Sequence, residues 1–257
     1  VIGLALFAVV YSINGGLKAV ALTDVIQVFF LVGGGLITTY IALDLLGAGE
    51  GVLKGCETLY LKTEDKFHLI LDPSHPGYMD LPGLSVILGG LWVANLYYWG
   101  CNQYIIQRAL AAKNIKEAQW GMAFAGVIKL LIPLLVVIPG IAAFALDAPL
   151  SKPDEAYPWL LGNLLPVGVK GIAFAALTAA IVSSLASMMN SISTIFTMDI
   201  YQVYIRPEGD ASHLVRVGKM TSLVAMLIGV CIAPLLSGLD QAFQYIQEFT
   251  GFVSPGA

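Results

Sequence analysis

The sequence predicts an all-α bundle of helices that span a membrane. Three observations predict this fold class: apolar residues make up 58% of the 257 residues, charged residues make up only 12%, and the mean hydropathy is +0.81. A typical soluble domain has about twice that share of charged residues. A helix that crosses the hydrocarbon core of a bilayer needs about 20 mostly apolar residues, and several stretches here have that length.

Seven apolar stretches are the candidate spans. They cover residues 1–13, 25–46, 84–107, 119–146, 171–198, 220–236 and 241–257. The sequence starts inside an apolar stretch without an initiator Met, and it stops without a boundary signal at Ser254-Pro255-Gly256-Ala257. We therefore expect the chain to be part of a longer membrane protein, and no signal peptide can be identified in it.

The segments between the stretches alternate in charge. The basic or mixed ones contain Lys18, then Arg108, Lys113 and Lys116, then Arg206, Arg216 and Lys219. The acidic ones contain Glu50, Glu57, Glu64, Asp65, Asp72 and Asp80, then Asp147, Asp154 and Glu155, then Asp240. Basic loops stay in the cytoplasm, so segments 47–83 and 147–170 should face outside. Membrane topology explains these small basic clusters, and no nucleic acid partner is predicted.

Prolines and glycines interrupt regular structure at several points. The outer segment 61–83 contains Asp72-Pro73-Ser74-His75-Pro76-Gly77, so it is either a partly helical lid or, more simply, a connecting loop. Pro133 and Pro139 each remove a helix hydrogen bond within one span. We expect them to kink that span.

Cysteine and histidine patterns give no catalytic or metal site. Cys56, Cys101 and Cys231 form no Cys-x-x-Cys motif. His68 and His75 share the outer loop with carboxylates and could bind a metal, but loop histidines of this kind are usually solvated. Because the sequence also lacks a nucleophile–base pair, it predicts no enzyme.

Hydroxyl side chains follow one side of an uncharged stretch, residues 178–191, that is long enough to span a membrane. The residues that fall at three- and four-residue steps are Ala180, Ser183, Ser184, Ser187, Ser191 and Thr194. Hydroxyls in a bilayer need partners, and two partners are open: a packed helix, through small residues, or a cation. Sodium takes about five or six hard oxygens, so a second helix would have to supply some of them.

Amides and aromatic rings meet in Ala94-Asn95-Leu96-Tyr97-Tyr98-Trp99-Gly100-Cys101-Asn102-Gln103. Gly100 with its flanking amides suits a broken helix whose free backbone groups point at a solute. Flat rings with amides are typical of carbohydrate sites. The alternative is an interfacial aromatic belt with amides that bond between helices.

Charged residues also lie within the spans. Lys129 lies mid-span, and a buried lysine there is costly and indicates function or a paired carboxylate. Gln247 and Glu248 share a helix face with Gln244, and Glu248 could pair with Lys129 or orient Gln247; a water-exposed helix end is the alternative.

Two aspartates lie at the predicted cytoplasmic ends of spans. Asp24 starts the second span, either as an N-terminal acid placed against the helix dipole or as an acid on an ion exit path. Asp199 ends the serine helix on the same side.

Five segments resemble the sodium/solute symporters, and within them the sodium/glucose and sodium/galactose cotransporters, the bacterial sodium/galactose type most of all. They are Tyr11-Ser12-Ile13-Asn14-Gly15-Gly16-Leu17, Thr23-Asp24-Val25-Ile26-Gln27, 92–108, 182–201 and 243–256. The resemblance covers the whole chain. The serine segment is shared across the family, whereas 95–103 and 244–248 are typical of the sugar branch.

The resemblance implies a fold of two inverted repeats of five helices each, similar to that of the bacterial amino-acid symporters. Residues 1–47 would be the last two helices of the first repeat, the first of them truncated. Residues 48–83 would form an extracellular loop, and residues 84–257 would form the second repeat, truncated in its last helix. The broken helix that opens the first repeat would lie outside this chain.

The resemblance implies a sodium site on the serine helix. Ser183 and Ser184 would bind Na⁺ through their hydroxyls and Ala180 through its carbonyl, while Asp24 would lie on the route of sodium to the cytoplasm. The resemblance also implies that family members with a second sodium site have threonine at the position of Ala186, whose side chain lacks a hydroxyl. We therefore expect one sodium per sugar.

The resemblance also implies a sugar site. Tyr98 would be the inner gate, stacked on the sugar ring beside Trp99. Asn95, Lys129 and Gln247 would hydrogen-bond the sugar.

The expected activity is sodium-coupled symport of galactose or glucose by alternating access, in the plasma membrane of a bacterium. One alternative is a symporter of the same fold for inositol, proline or a carboxylate, and Lys129 would suit a carboxylate. The other alternative is a membrane sensor that binds a solute without moving it. The sequence indicates Na⁺, a sugar and the bilayer as partners and gives no oligomeric state.

Overall fold

The structure is a computed structural model that describes residues 2–75, 77–78, 81, 83–236, 238 and 242–256, apart from the side chains of Asn14, Phe243 and Gln244. Every regular element in these residues is a helix. The α-helices are α1 (Ile2–Leu46), α2 (Val52–Lys62), α3 (Leu91–Gly100), α4 (Gln103–Leu110), α5 (Ile115–Lys129), α6 (Ile138–Ala145), α7 (Ala156–Asn163), α8 (Val167–Thr194), α9 (Ala211–Ile232) and α10 (Ala242–Val253).

Turns of π-helix extend three of these helices. They are Val86–Gly90 before α3, Pro133–Val137 before α6 and Ile195–Ile205 after α8. Short 3₁₀ turns cover Glu64–Phe67, Pro153–Glu155, Ala233–Leu236 and Ser254–Gly256.

Among the described residues, four segments are long and apolar enough to cross a bilayer. They are Gly15–Leu46, Ile115–Ala145, Val167–Ile205 and Ala211–Leu236. These segments correspond to the second, fourth, fifth and sixth predicted spans. The first and seventh predicted spans fall on shorter helices, and the third is a broken helix.

Helix α1 is interrupted by a single residue rather than by the predicted basic segment. Gly16 has φ 57° and ψ −167°, a combination that glycine alone adopts readily, and Lys18 lies inside the helix. The Tyr11 hydroxyl crosses the break, donates to the Ala19 carbonyl at 2.9 Å and contacts the Thr23 hydroxyl. The predicted gap around Lys18 is therefore wrong, because one glycine is enough to separate the two parts of the helix.

The third predicted span is broken where the sequence analysis expected a break. Helix α3 ends at Gly100, and α4 begins at Gln103. Asn102 caps α4, since its side-chain oxygen accepts from the Tyr104 backbone N–H at 3.1 Å. The expected broken helix is confirmed, with an amide as the residue that starts its second half.

The proline-containing span is also interrupted. Helix α5 ends at Lys129, and the π-helical turns begin at Pro133. Pro139 follows these π-helical turns directly, so its missing N–H removes a helical hydrogen bond, and the Leu134 carbonyl five residues before it accepts from the Thr39 hydroxyl at 2.6 Å. Both prolines therefore interrupt the hydrogen bonding of this span.

Two predicted boundaries around α8 and α9 are wrong. The helix does not end at Asp199 but continues to Ile205. Helix α9 begins at Ala211, not at residue 220, because Asp210 caps it by accepting from the His213 N–H at 3.1 Å. The Ser212 hydroxyl, with the His213 backbone N–H second, holds the pKa of Asp210 below its ordinary value.

Helix α2 ends at Lys62, at the start of the predicted lid or loop 61–83, and the described part of that segment beyond α2 contains the short 3₁₀ turn Glu64–Phe67. Gly55 of α2 lies against the backbone of Leu43, where an added Cβ would be 1.9 Å from the Leu43 carbonyl oxygen. Glycine is therefore the residue that allows this close approach.

The chain divides into two compact units. Unit 1 contains Val1–Phe30, Asn102–Gln119 and Ala175–Gly238, and unit 2 contains Leu31–Cys101, Trp120–Phe174 and Leu239–Ala257. In unit 1 the buried side of α8 includes Val182, Ala186 and Met189. The core of unit 2 is built mainly from small and branched residues, namely Ala42, Leu43, Leu46, Leu59, Ala142 and Ala145.

Candidate functional site

The hydroxyl face of α8 lies mostly inside unit 1. Ser183, Ser187 and Ser191 are 4%, 0% and 5% exposed, and they follow one another at four-residue steps. Thr194 is exposed and donates back to the Asn190 carbonyl at 2.8 Å, so the predicted face is one residue too long. The buried hydroxyls therefore form a narrow polar line along an otherwise apolar helix.

The three predicted sodium ligands lie at one end of this line. Ser183 is buried, while Ala180 and Ser184 are half-buried. Two hydroxyls and one carbonyl are hard oxygen donors of the type that a sodium ion requires. The donor set fits sodium chemically but needs further oxygens for a complete shell.

Asp24 supplies oxygens to this part of the structure. Its Oδ1 accepts a hydrogen bond from the Ser183 hydroxyl, and its side chain is 22% exposed. Asp24 lies two turns beyond Gly16 in a helical segment that begins at Gly15. The alternative of an N-terminal acid placed against the helix dipole is therefore wrong, because the dipole effect fades within the first turn.

Arg108 of α4 joins Asp24 to α8. Its Nη2 and Nε donate to Asp24 Oδ2 at 2.6 and 3.0 Å, and Nη2 also donates to Ser187 Oγ at 2.6 Å. We call Asp24, Arg108, Ser183 and Ser187 the acid–serine cluster. It combines one carboxylate, one guanidinium and two hydroxyls, so its own formal charge is zero.

Neighbouring side chains hold the cluster in place. Gln107 is buried and donates to the Ser187 carbonyl at 3.1 Å and to the Tyr104 carbonyl at 3.0 Å. Ser12 donates to Asn190 Oδ1 at 3.2 Å and lies 3.4 Å from the Ala186 carbonyl. These bonds connect α8 to α4 and to α1 within unit 1, and they satisfy polar groups that would be costly in an apolar environment.

The predicted sugar-binding rings lie in unit 2. Tyr98 and Trp99 of α3 are half-buried and meet edge to face, with ring centroids 5.3 Å apart and planes at 82°. The Lys129 ammonium lies over the Trp99 ring, 4.3 Å from its centroid. The structure thus brings Tyr98, Trp99 and Lys129 together, and we call these three residues the ring cluster.

The Lys129 side chain is exposed in this chain and lies inside the apolar segment Ile115–Ala145, so its burial in a membrane stays a prediction. Helix α5 ends at this residue. The side chain therefore leaves the helix end and stacks on the indole, a favourable position for a cation.

The other two predicted sugar ligands are exposed. Asn95 lies one turn before Tyr98, and its amide donates to the Leu91 carbonyl at 2.8 Å. Gln247 lies on α10, which packs against α3. The Gln244 side chain is outside the described residues, and the pairing of Glu248 with Lys129 or Gln247 stays a prediction.

His68 and His75 are not part of a metal-ligand cluster in the part of the chain that the structure describes. Among the described residues, no three His, Cys, Asp or Glu side chains lie close enough together to hold a metal ion. His68 is exposed, and His75 Nδ1 accepts from the Gly77 N–H at 3.0 Å.

Sequence reasoning did not identify Arg108, Gln107 and Ser12 as site residues. Arg108 was assigned to membrane topology as a basic residue at the end of a span. One signal could have indicated a role for Gln107 and Arg108: both lie near the end of the short polar helix α4, which follows the break after Gly100. Their partners on α1 and α8 are distant in sequence, so spacing alone could not identify them.

Comparison with known proteins identifies the family of this chain. The sequence profile of the sodium:solute symporter family matches residues 1–256. A sodium/glucose cotransporter of Vibrio parahaemolyticus is 56% identical over 273 residues, which cover 100% of this chain and 50% of that protein. Sodium/myo-inositol cotransporter 2 of Bos taurus is 32% identical over 285 residues, which cover 99% of this chain and 42% of that protein.

The fold is similar to that of a Na⁺-coupled sialic acid symporter solved in a substrate-bound outward-open state. The TM-score is 0.78 at 23% identity, and the match covers 98% of this chain and 53% of that one. The chain thus spans about half the length of the relatives that it matches. The predicted fold class, an all-α transmembrane bundle of the inverted-repeat symporter type, is confirmed, and the chain belongs to the sodium:solute symporter family.

Proposed function

We propose that the protein is a sodium-coupled symporter of a neutral sugar, galactose or glucose, in the inner membrane of a bacterium. The observation that carries this proposal is the contact between the Asp24 carboxylate and the Ser183 hydroxyl on a membrane-spanning helix. A carboxylate within a membrane protein is costly and indicates an ion pathway. Here it lies beside oxygens that the family resemblance assigns to sodium.

Sodium would bind Ser183, Ser184 and the Ala180 carbonyl, and Asp24 would supply the compensating negative charge. Asp24 is directly hydrogen-bonded to Ser183, so an ion that leaves the serines would meet its carboxylate next. This supports Asp24 as a residue of the sodium exit path. Ala186 is fully buried and brings no hydroxyl to the site, which supports one sodium per sugar.

The sugar would bind at the ring cluster. One face of the Trp99 indole is covered by Lys129, and Tyr98 meets its edge. Sugar C–H groups pack on aromatic faces, and the ammonium of Lys129 with the amides of Asn95 and Gln247 can donate to sugar hydroxyls. Tyr98 would act as the inner gate and move aside to release the sugar.

Coupling would be a matter of binding linkage rather than of bond chemistry. Sodium would favour an outward-open state that binds sugar more tightly, and by reciprocity sugar would raise the affinity for sodium. An inward membrane potential adds about 2.3 kcal/mol per charge per 100 mV. Loss of sodium to the cytoplasm would then weaken sugar binding and release the sugar.

The same site could serve another solute of this family. An inositol presents the same ring of hydroxyls as a sugar, whereas proline or a carboxylate would need a free cation. Because the proposed sugar site brings aromatic rings and amides but a single cation, Lys129, a neutral polyol is favoured. Displacement of bound sugar by proline would contradict this choice.

The deciding experiment is uptake of labelled galactose and glucose by the intact protein in proteoliposomes, under a sodium or a potassium gradient. We expect accumulation against the sugar gradient with sodium only, with a sodium Hill coefficient near one. Accumulation would also exclude a sensor that binds solute without moving it.

The Ser184→Ala variant tests the sodium site in the same assay. We expect it to abolish sodium-dependent accumulation, because it removes one of few oxygens available to the ion. Ser151→Ala, which changes an exposed serine outside the predicted spans, is the matched control and should transport normally. Uptake by Ser184→Ala at the level of the control would mean that the serines only pack helices together.

A further inference from the structure

We infer that Arg108 is a tethered cation that competes with sodium for the Asp24 carboxylate and thereby sets the affinity of the ion site. This inference rests on the proposed function. It adds a residue that determines sodium affinity and that belongs to none of the ligand sets described above.

The first argument is that the guanidinium uses the same oxygens that would serve an ion. Arg108 takes Asp24 Oδ2 through two donors and Ser187 Oγ through one of them, at 2.6 to 3.0 Å. The other carboxylate oxygen, Oδ1, accepts from Ser183. A sodium ion that recruits Asp24 must therefore share the carboxylate with a permanent positive charge.

The second argument concerns distance and charge. Ser183 is bonded to the carboxylate that holds Arg108, so an ion on Ser183 lies one side chain away from the guanidinium. Two like charges at that separation repel one another strongly outside bulk water. Sodium binding and the Asp24–Arg108 pair therefore weaken each other.

The third argument is that Arg108 is able to move. Its side chain is 34% exposed, on the last turn of a short helix, whereas Gln107 beside it is buried. The long side chain can swing away from Asp24 while Gln107 keeps α4 attached to Ser187. Return of the guanidinium to Asp24 would then help to expel sodium.

The test is equilibrium binding of ²²Na⁺ to the intact, purified protein in the absence of sugar. We expect Arg108→Gln to lower the Kd for sodium about two- to fivefold, the size expected when one partner of a half-exposed ion pair is removed. A merely structural arginine would give the opposite result, because its loss would loosen the site and weaken binding. Arg206→Gln removes the same charge from an exposed position and should leave Kd unchanged.

Arg108→Lys provides a second test if Arg108→Gln fails to fold. Lysine keeps the charge but lacks the planar fork that holds Asp24 and Ser187 together, so Kd should fall by a smaller factor. A Kd equal to or above that of the wild type in a folded Arg108 variant would overturn the inference. Failure of the wild type itself to bind sodium would instead contradict the proposed function.

Discussion

Trp99 offers one face of its indole to Lys129 and its edge to Tyr98. The ammonium is thereby held close to a ring on which a sugar can stack. This arrangement depends on the end of α5 at Lys129, because the side chain can leave the helix there and reach the indole. A ligand that binds beside Trp99 therefore meets a charged hydrogen-bond donor close to the ring.

We predict that Lys129→Gln weakens galactose binding about tenfold, because a hydrogen bond from a charged donor is worth more than one from an amide. Sodium binding without sugar should be unchanged. Binding of labelled galactose to the purified protein measures the effect.

Lys116→Gln is the matched control for this variant, since it removes an exposed lysine from the same helix. Equal galactose affinity in Lys129→Gln and the wild type would mean that Lys129 only packs on the indole.

The residues of the site were only partly predictable. Helical spacing gave the hydroxyl face of α8, because period and composition are local properties of one stretch, whereas the choice of Ser183 and Ser184 came from the family resemblance. Arg108 could not be predicted, since its partners Asp24 and Ser187 are 84 and 79 residues away. A pairing at that separation is decided by tertiary structure, and a basic residue at the end of a span already had a sufficient explanation in topology.

At the scale of elements, the non-helical backbone of Gly16 separates α1 into two helical parts. The backbone angles there are accessible to glycine but are strained for any other residue. No atom lies within 4 Å of an added Cβ at Gly16. A substitution at this position therefore tests conformation alone, without a steric clash.

We predict that Gly16→Ala destabilises the protein by about 1–3 kcal/mol, the usual cost of forcing a side chain into this backbone region. Thermal unfolding of the purified protein in detergent measures it. Gly3→Ala is the matched control, because Gly3 also has open space but helical angles, and its melting temperature should be unchanged or higher. Equal melting temperatures for the two variants would show that Gly16 does not require glycine.

Elements were predicted better than their boundaries. Hydropathy identified the apolar helices, since the bilayer requires a minimum apolar length. It missed the start of α9, because Arg216 and Lys219 made its first turns look like a loop, although Asp210 supplies the cap. It also missed α2, whose place against Leu43 depends on a close approach at Gly55 that no periodicity indicates.

At the scale of the whole molecule, composition and the length of the apolar stretches predicted the all-α membrane bundle, the resemblance supplied the inverted-repeat type, and the division into repeats stays a prediction. The charges of the connecting segments predict that 47–83 lies outside and the basic segments lie in the cytoplasm. Cys56 lies exposed on α2 within that outer segment. It is therefore a natural probe of orientation.

We predict that a membrane-impermeant maleimide labels Cys56 in intact cells when Cys101 and Cys231 are replaced by serine. The physical reason is that one predicted span separates segment 47–83 from the segment with Arg108, Lys113 and Lys116, whose positive cluster is expected to stay in the cytoplasm. A cysteine introduced at Lys113 in a cysteine-free background is the control for the opposite side and should react only after permeabilisation. Labelling of Cys56 only in permeabilised cells would invert the proposed topology.

The stacking of Lys129 on Trp99 also makes this indole a natural optical reporter. Indole emission responds to a charge held against the ring, and here that charge lies 4.3 Å from the ring centroid. We expect any event that draws the ammonium towards a bound molecule to change the emission of Trp99. A variant that keeps Trp99 as its single tryptophan would therefore let solute occupancy be followed in real time without an added label.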